Sequence, residues 1–221
     1  MSQVEPDADV LVVVPEQASS LRMLATLGSA GALAGLLIVV VYTITLGPIE
    51  AHRAEVLRRA VSEVLNDPAR YETLYATPRE VFEVPPAEGG EDDVEKIYVG
   101  FDEQGRATGV AVKAAAAGFQ DLITLIYGFD PATGKLLGMK VLASKETPGL
   151  GDKIEKDLVF VAQFRGVPPP LVAVKRATGA AGEIDAITGA TISSRAVVRI
   201  INRSLAGLRT PIEEHFQEIL R

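Results

Sequence analysis

The run Lys96 to Leu142, KIYVGFDEQGRATGVAVKAAAAGFQDLITLIYGFDPATGKLLGMKVL, decides the fold through its punctuation. Lys96 to Phe101 and Ala107 to Lys113 are short apolar-rich segments on either side of Asp102-Glu-Gln-Gly-Arg106. Leu122 to Phe129 and Leu136 to Leu142 flank Asp130-Pro-Ala-Thr-Gly134 in the same way. Strand-forming runs joined by compact Gly-containing turns are the signature of β-hairpins. Two in succession predict an antiparallel sheet. Downstream, Leu171 to Lys175 reads as a further strand after the Pro168-Pro-Pro170 turn. Ser194 to Leu208 places Val197, Val198, Ile200, Ile201, Leu205 and Leu208 on a broad helical face. The expected class is α+β, an antiparallel sheet with helices packed on it. No period suggests a solenoid or a propeller.

Upstream of the sheet the chain changes character. Met23 to Leu46, MLATLGSAGALAGLLIVVVYTITL, is 24 residues without an Asp, Glu, Lys, Arg or His. As a helix it spans roughly 36 Å, against a hydrocarbon thickness of about 30 Å. It accounts for a mean hydropathy of +0.21 in a chain with 23% charged residues. The run is longer than the apolar region of a signal peptide, and ITLGPIEAHR offers no good small-x-small cleavage site, so it reads as an uncleaved anchor. Gly31 and Gly35 form a GxxxG, either a helix-packing face or the ordinary small-residue content of such helices. The Gly47-Pro48 pair reads as a break, followed by an amphipathic helix from Glu50 to Asn66 that Asp67-Pro68 stops. A polar, turn-rich stretch with Pro85-Pro86 and the acidic run Glu88 to Asp93 follows; without the spacing of an EF-hand loop, the run reads as solvated. The expected organisation is a polar tail (1–22), a membrane helix (23–46), a juxtamembrane helix and linker (47–95) and one domain (96–221).

Charge and composition exclude several functions. The net charge of −7 divides into −3 before the span (Glu5, Asp7, Asp9 and Glu16 against Arg22) and −4 after it, with no basic block for nucleic acid. Cysteine is absent, which removes disulfides, thiol nucleophiles, cysteine-ligated zinc and iron–sulfur ligation by this chain. The two histidines, His52 and His215, are far apart in sequence and suggest no metal site. Arg53, Arg58 and Arg59 follow the span while only Arg22 precedes it, so the charge rule leans toward a cytoplasmic C-terminal domain.

Two loops carry the candidate chemistry. Glu146-Thr-Pro-Gly-Leu-Gly151 follows a strand and combines a proline with two glycines, giving a tight backbone able to approach a flat ring or a phosphate, or simply a structural turn. It lacks the third glycine of a dinucleotide fingerprint and the GK[ST] ending of a P-loop. Asp185-Ala-Ile-Thr-Gly-Ala-Thr-Ile-Ser-Ser194 precedes a helix, where free amides and the macrodipole favour an anion. One hydroxyl is enough for a cap; Thr188, Thr191, Ser193 and Ser194 are four in seven positions.

Asp185 with Thr188-Gly189-Ala190-Thr191 resembles the D-x-x-[ST]-G-A-[ST] motif of FMN-binding domains in which the last threonine carries FMN through a phosphoester. ETPGLGDKIE, Glu146 to Glu155, resembles the second hallmark of the G subunit of the Rnf ion-translocating electron-transport complex, and the shared order covers the anchor and nearly all of the chain after it. The C subunit of the sodium-pumping NADH:quinone reductase shares both features but is usually longer. One position departs: Ser144 stands where relatives often carry a bulkier polar residue or histidine. The resemblance implies one covalent FMN on Thr191, seated among Thr188, Gly189, Ala190, Ser193 and Ser194, with the ring against Glu146, Thr147, Gly149, Leu150 and Gly151. It implies other membrane subunits as partners, a flavin transferase for maturation, a bacterial inner-membrane location and a flavin domain on the extracytoplasmic side, against the charge rule. The implied activity is electron carriage within an ion-translocating ferredoxin:NAD oxidoreductase complex, with no acid, base or nucleophile required of this chain. Lys153 reads either as an electrostatic partner for the flavin or as a surface lysine. The alternative function is a membrane-tethered flavin-binding sensor, and a hydrolase built on Ser144 and Lys145 lacks spacing and context.

Overall fold

A computed structural model describes residues 20–84 and 94–219. They divide along the chain into two compact units, with the boundary between His52 and Arg53. The first unit is helical and apolar. Helix α1 runs Ser20–Val64, and an 18-residue window within it has a mean hydropathy of 2.3 with none of its surface buried in the protein. By length and composition it can cross a membrane. Its threonine hydroxyls are satisfied internally: Thr26 Oγ1 donates to Arg22 O at 2.9 Å, Thr43 Oγ1 to Val39 O at 2.8 Å and Thr45 Oγ1 to Val41 O at 2.8 Å. Such back-bonding is how polar side chains are tolerated where water is absent.

Gly47-Pro48 does not break this helix, contrary to the sequence reading; Pro48 lies inside it. One proline removes one amide donor, and a helix survives that loss when the turns on both sides keep theirs. Residues 20–22, assigned from sequence to the polar tail, are the first of α1. The rest of that tail, Pro85-Pro86 and the acidic run lie outside the described residues.

The second unit contains the sheet. Strands β1 (Arg70–Ala76), β2 (Val81–Phe82), β3 (Glu95–Phe101), β4 (Ala107–Ala117), β5 (Leu122–Asp130) and β6 (Lys135–Ala143) pair antiparallel throughout in the order β2-β1-β3-β4-β5-β6. The two predicted hairpins are β3-β4 and β5-β6. Strands β1 and β2 occupy part of the stretch expected to be turn-rich linker: RYETLYA carries too many polar residues to look like a strand, and pairing along all of β3 makes it one. Short helices α2 (Lys153–Lys156) and α3 (Leu158–Ala162) follow β6. Strands β7 (Val172–Val174) and β8 (Glu183–Asp185) then pair in parallel, and α4 runs Thr191–Ile219.

Alternation along the central strands explains the layering. Ile97, Val99, Val110, Val112, Leu125 and Tyr127 point to one face and pack with Val197, Ile201, Leu205 and Leu208 of α4. Their neighbours Tyr98, Ala111 and Ile126 point to the other and pack with Ala60, Val61, Val64 and Leu65 at the end of α1. Successive side chains of a strand face opposite ways, so a sheet covered on both faces is apolar at nearly every position. Gly128 shows how closely the helix end sits: a Cβ there would lie 2.1 Å from Val64 O.

Tyr127 is fully buried, and its hydroxyl donates to Ser204 Oγ on α4 at 3.0 Å. Burial pushes its pKa upward, which keeps the phenol a donor. Tyr127→Phe removes one sheet-to-helix hydrogen bond and leaves the partly exposed Ser204 access to water. The expected cost is about 1 kcal/mol, read by urea unfolding.

Candidate functional site

Strand β6 ends at Ala143, and the chain turns across the end of the sheet through Ser144 to Asp152. Ser144 Oγ accepts the Glu146 N–H at 3.2 Å, a local turn that directs Glu146 inward. Glu146 is only 5% exposed. Its Oε1 accepts the backbone N–H groups of Phe119 at 2.8 Å and Gln120 at 3.0 Å, in the turn between β4 and β5. Its Oε2 accepts the Ser193 hydroxyl at 2.6 Å, in the first turn of α4. Thr147 Oγ1 donates to Gln120 Oε1 at 2.8 Å and doubles the tie to that turn. One carboxylate therefore brackets three segments distant in sequence.

Gly151 is required by this bracket. A Cβ there would lie 2.6 Å from Glu146 Oε2 and 2.9 Å from Ser193 Oγ. Of the two roles that the sequence leaves open for the loop glycines, close approach of a ligand or a structural turn, Gly149, exposed with φ +77°, fits the turn, and Gly151 admits a neighbouring side chain. Burial by itself raises the Glu146 pKa, but hydrogen bonds from Ser193 and from the Gln120, Phe119 and Asp121 amides outweigh it, and the carboxyl is held below its ordinary 4.5. A depressed pKa stabilises the fold above the unfolded value and loses that contribution as pH falls through the folded one. Stability is therefore expected to drop as pH falls below 4.5, and Glu146→Gln to flatten that part of the profile, measured by denaturant unfolding from about pH 7 to about pH 3.

The other wall is the loop Ala186 to Ala190 and the start of α4. The helix begins at Thr191, three residues earlier than the sequence suggests, so Thr191, Ser193 and Ser194 lie in its first turn rather than ahead of it. Their hydroxyls have different fates. Ser194 is fully buried; its Oγ donates to Ala190 O at 2.9 Å and accepts the Ile187 N–H at 3.1 Å, which closes the preceding loop. Ser193 is committed to Glu146. Thr188 is exposed on the loop. Thr191 is half-exposed, and among the described residues its hydroxyl has no hydrogen-bond partner. Nor do the N–H groups of Thr191, Ile192 and Ser193, whereas Ser194 N donates to Ala190 O at 2.9 Å. These are the orphan donors of a helix N-terminus. Asp185 is turned away from them: its carboxylate accepts the Ala177 N–H, and its backbone N–H donates to Gln163 Oε1 at 2.7 Å.

Between the walls lies a cleft of about 280 Å³ lined by Phe119, Glu146, Thr147, Leu150, Gly151, Gly189, Ala190, Thr191, Ile192 and Ser193. Tertiary folding thus brings the two sequence loops together. Gly149, Thr188, Ser194 and Lys153 do not line the cleft. Phe119 and Ile192 are additions that sequence reasoning missed; they are 65% and 54% exposed and, with Leu150, form an apolar rim. Ile192 stands beside the predicted threonine and could have been included, but nothing local marks Phe119. Among the described residues no group of three or more His, Cys, Asp or Glu side chains is arranged to hold a metal.

Apolar walls for a ring and orphan amides for an anion suit a flavin phosphate, and residues 118–206 match the model of a family described as FMN-binding domain. The fold is also that of NqrC from Shewanella oneidensis, with a TM-score of 0.64 at 16% identity over 76% of this chain and 99% of that one. Nearer relatives by sequence include the G subunit of the ion-translocating oxidoreductase complex of Methanosarcina acetivorans, 31% identical over 83% of this chain and 92% of the relative. The G subunit of the Na(+)-translocating ferredoxin:NAD(+) oxidoreductase complex of Acetobacterium woodii is 33% identical over 73% of this chain and 78% of its own length. The chain belongs to the G-subunit family of ion-translocating, Rnf-type oxidoreductase complexes.

Proposed function

We propose that this chain is the membrane-anchored electron-carrier subunit of an Rnf-type complex and that its FMN is attached by a phosphoester to Thr191. The observation that carries the attachment is the sorting of hydroxyls: of the four in the motif, Thr191 alone both lines the cleft and is left without a hydrogen bond. A phosphate on its Oγ falls beside the orphan N–H groups of Thr191, Ile192 and Ser193, where one negative charge is stabilised by amides and macrodipole together. Phe119, Leu150 and Ile192 supply apolar contact for the ring.

Bound FMN supplies the redox chemistry. The chain's own residues hold and orient. Thr147, Ser193 and Glu146 are hydrogen-bonded within the protein, so their work is to fix the cleft's shape rather than to move protons. A covalent link keeps the cofactor in place even where the cleft's own affinity is modest. Helix α1 tethers the domain at a membrane, beside partner subunits that bring the iron–sulfur and nicotinamide chemistry this cysteine-free chain lacks.

Mass spectrometry of the intact chain from its native membrane tests the reading: an added FMN mass on the peptide holding Thr191 supports it, and an unmodified peptide sinks it. The flavin domain is further proposed to lie outside the cytoplasm, where a flavin transferase modifies it. Protease protection that places residues 53–221 in the cytoplasm would refute this orientation.

A further inference from the structure

The proposed phosphoester carries a negative charge that the helix amides share, and no cationic side chain lines the cleft: its single charged lining residue is Glu146, already committed to three donors. On the segments that form its walls, Lys145 pairs with Asp121 at 3.1 Å. Lys153 sits on the short helix α2 and does not line the cleft, and the carboxylate of its neighbour Asp152 pairs with Lys156 at 2.6 Å. Arg195 is different. It is exposed, it has no hydrogen bond or ion pair among the described residues, and it lies four residues after Thr191 on α4.

Positions i and i+4 of a helix are neighbours, with Cβ atoms about 5–6 Å apart, and helical side chains lean toward the N-terminus. Arg195 therefore rises from the helix surface one turn from Thr191. In this structure it lines the adjoining open groove with Leu171, Val172 and Arg199, so pairing with a phosphate on Thr191 calls for a different side-chain rotamer. Arg199, one turn further, is occupied: its Nη2 donates to Ala117 O at 2.6 Å.

We propose that Arg195 is the phosphate-pairing residue of the flavin site. Its guanidinium donates to the non-bridging phosphate oxygens from one side while the first amides of α4 donate from the other. Lys153, the electrostatic partner suggested by sequence, has no part in this. A guanidinium suits the role because its planar fork donates to two phosphate oxygens at once. The inference rests on attachment at Thr191 and adds the residue that neutralises it.

The test compares the flavin-bearing full chain with Thr191→Ala under phenylglyoxal, an arginine-specific dicarbonyl, with each arginine followed by peptide mass spectrometry. Arg195 is expected to react at least about fivefold more slowly when flavin is attached, because its donors are engaged. Arg203, exposed on the same helix, should react equally in both proteins. Equal rates at Arg195 overturn the proposal, as does protection of Arg176, or of Lys153 toward acetylation, in its place. In the flavin-bearing protein the phosphorus-31 resonance of the phosphodiester should move in Arg195→Gln and return toward the wild-type position in Arg195→Lys. An unmoved resonance in Arg195→Gln also overturns it. Absence of flavin mass on wild-type protein is a separate outcome, which refutes the Thr191 attachment and takes this inference with it.

Discussion

Thr191→Ala is expected to abolish covalent flavin completely: the wild-type band fluoresces under ultraviolet light after denaturing electrophoresis, and the variant band is dark. The effect is all or none because no neighbouring hydroxyl can substitute. Ser193 is turned into the protein by Glu146 and Ser194 by Ala190, while Thr188 is exposed on the loop and does not line the cleft. The fold should be untouched, since the Thr191 side chain makes no hydrogen bond and alanine is the better helix former. Unfolding midpoints of the two proteins, both compared without flavin, should agree within about 1 °C. Flavin retained on Thr191→Ala would remove Thr191 as the link. A dark band from a variant that fails to fold would not count against the reading, and the unfolding midpoint separates these cases.

The second large effect is on stability. Glu146→Ala deprives the Ser193 hydroxyl and the Phe119 and Gln120 N–H groups of their acceptor in one step. A buried donor left unpaired costs about 1–3 kcal/mol, and the turn amides can recover part of theirs from water, so the expected loss is about 2–4 kcal/mol. For a domain of this size that lowers the melting midpoint by about 5–15 °C. Gly151→Ala should act in the same direction by a different route. It keeps every polar group but sets a methyl carbon 2.6 Å from Glu146 Oε2, forcing the carboxylate from its partners. Both variants should load flavin poorly, because the bracket sets the start of α4 against the loop that faces it. A Glu146→Ala midpoint within about 1 °C of wild type would show that the bracket does not hold the site together.

Bracket and cofactor belong to different levels of the sequence. ETPGLG and the Thr188 to Thr191 motif are visible as patterns, and both face the cleft. Their division of labour is not. Glu146 looks like a ligand contact, and its role as a cross-link is hidden because its partners, Phe119 and Gln120 on one side and Ser193 on the other, lie 26 residues or more away. Phe119 is invisible for the same reason: an exposed aromatic on a tight turn has no local signal, and Glu146 and Thr147, far along the chain, tie that turn to the cleft. The four hydroxyls are equivalent as letters; the early start of α4 points Ser193 and Ser194 inward and leaves Thr191 facing the cleft.

Features that depend on near neighbours can be read from the residues without coordinates. The apolar run requires a helix long enough to span a membrane, because a hydrocarbon-length stretch without charges has few other stable states. The hairpin turns require antiparallel neighbours, because a short Gly-containing loop leaves strands nowhere else to go. Long-range packing was needed to establish that Arg70 to Ala76 is a strand and which hydroxyl is free, and only the whole length of α1 shows that it continues past Pro48. Each depends on a partner far along the chain or on many weak preferences summed over a long element, and neither is written in the few residues on either side.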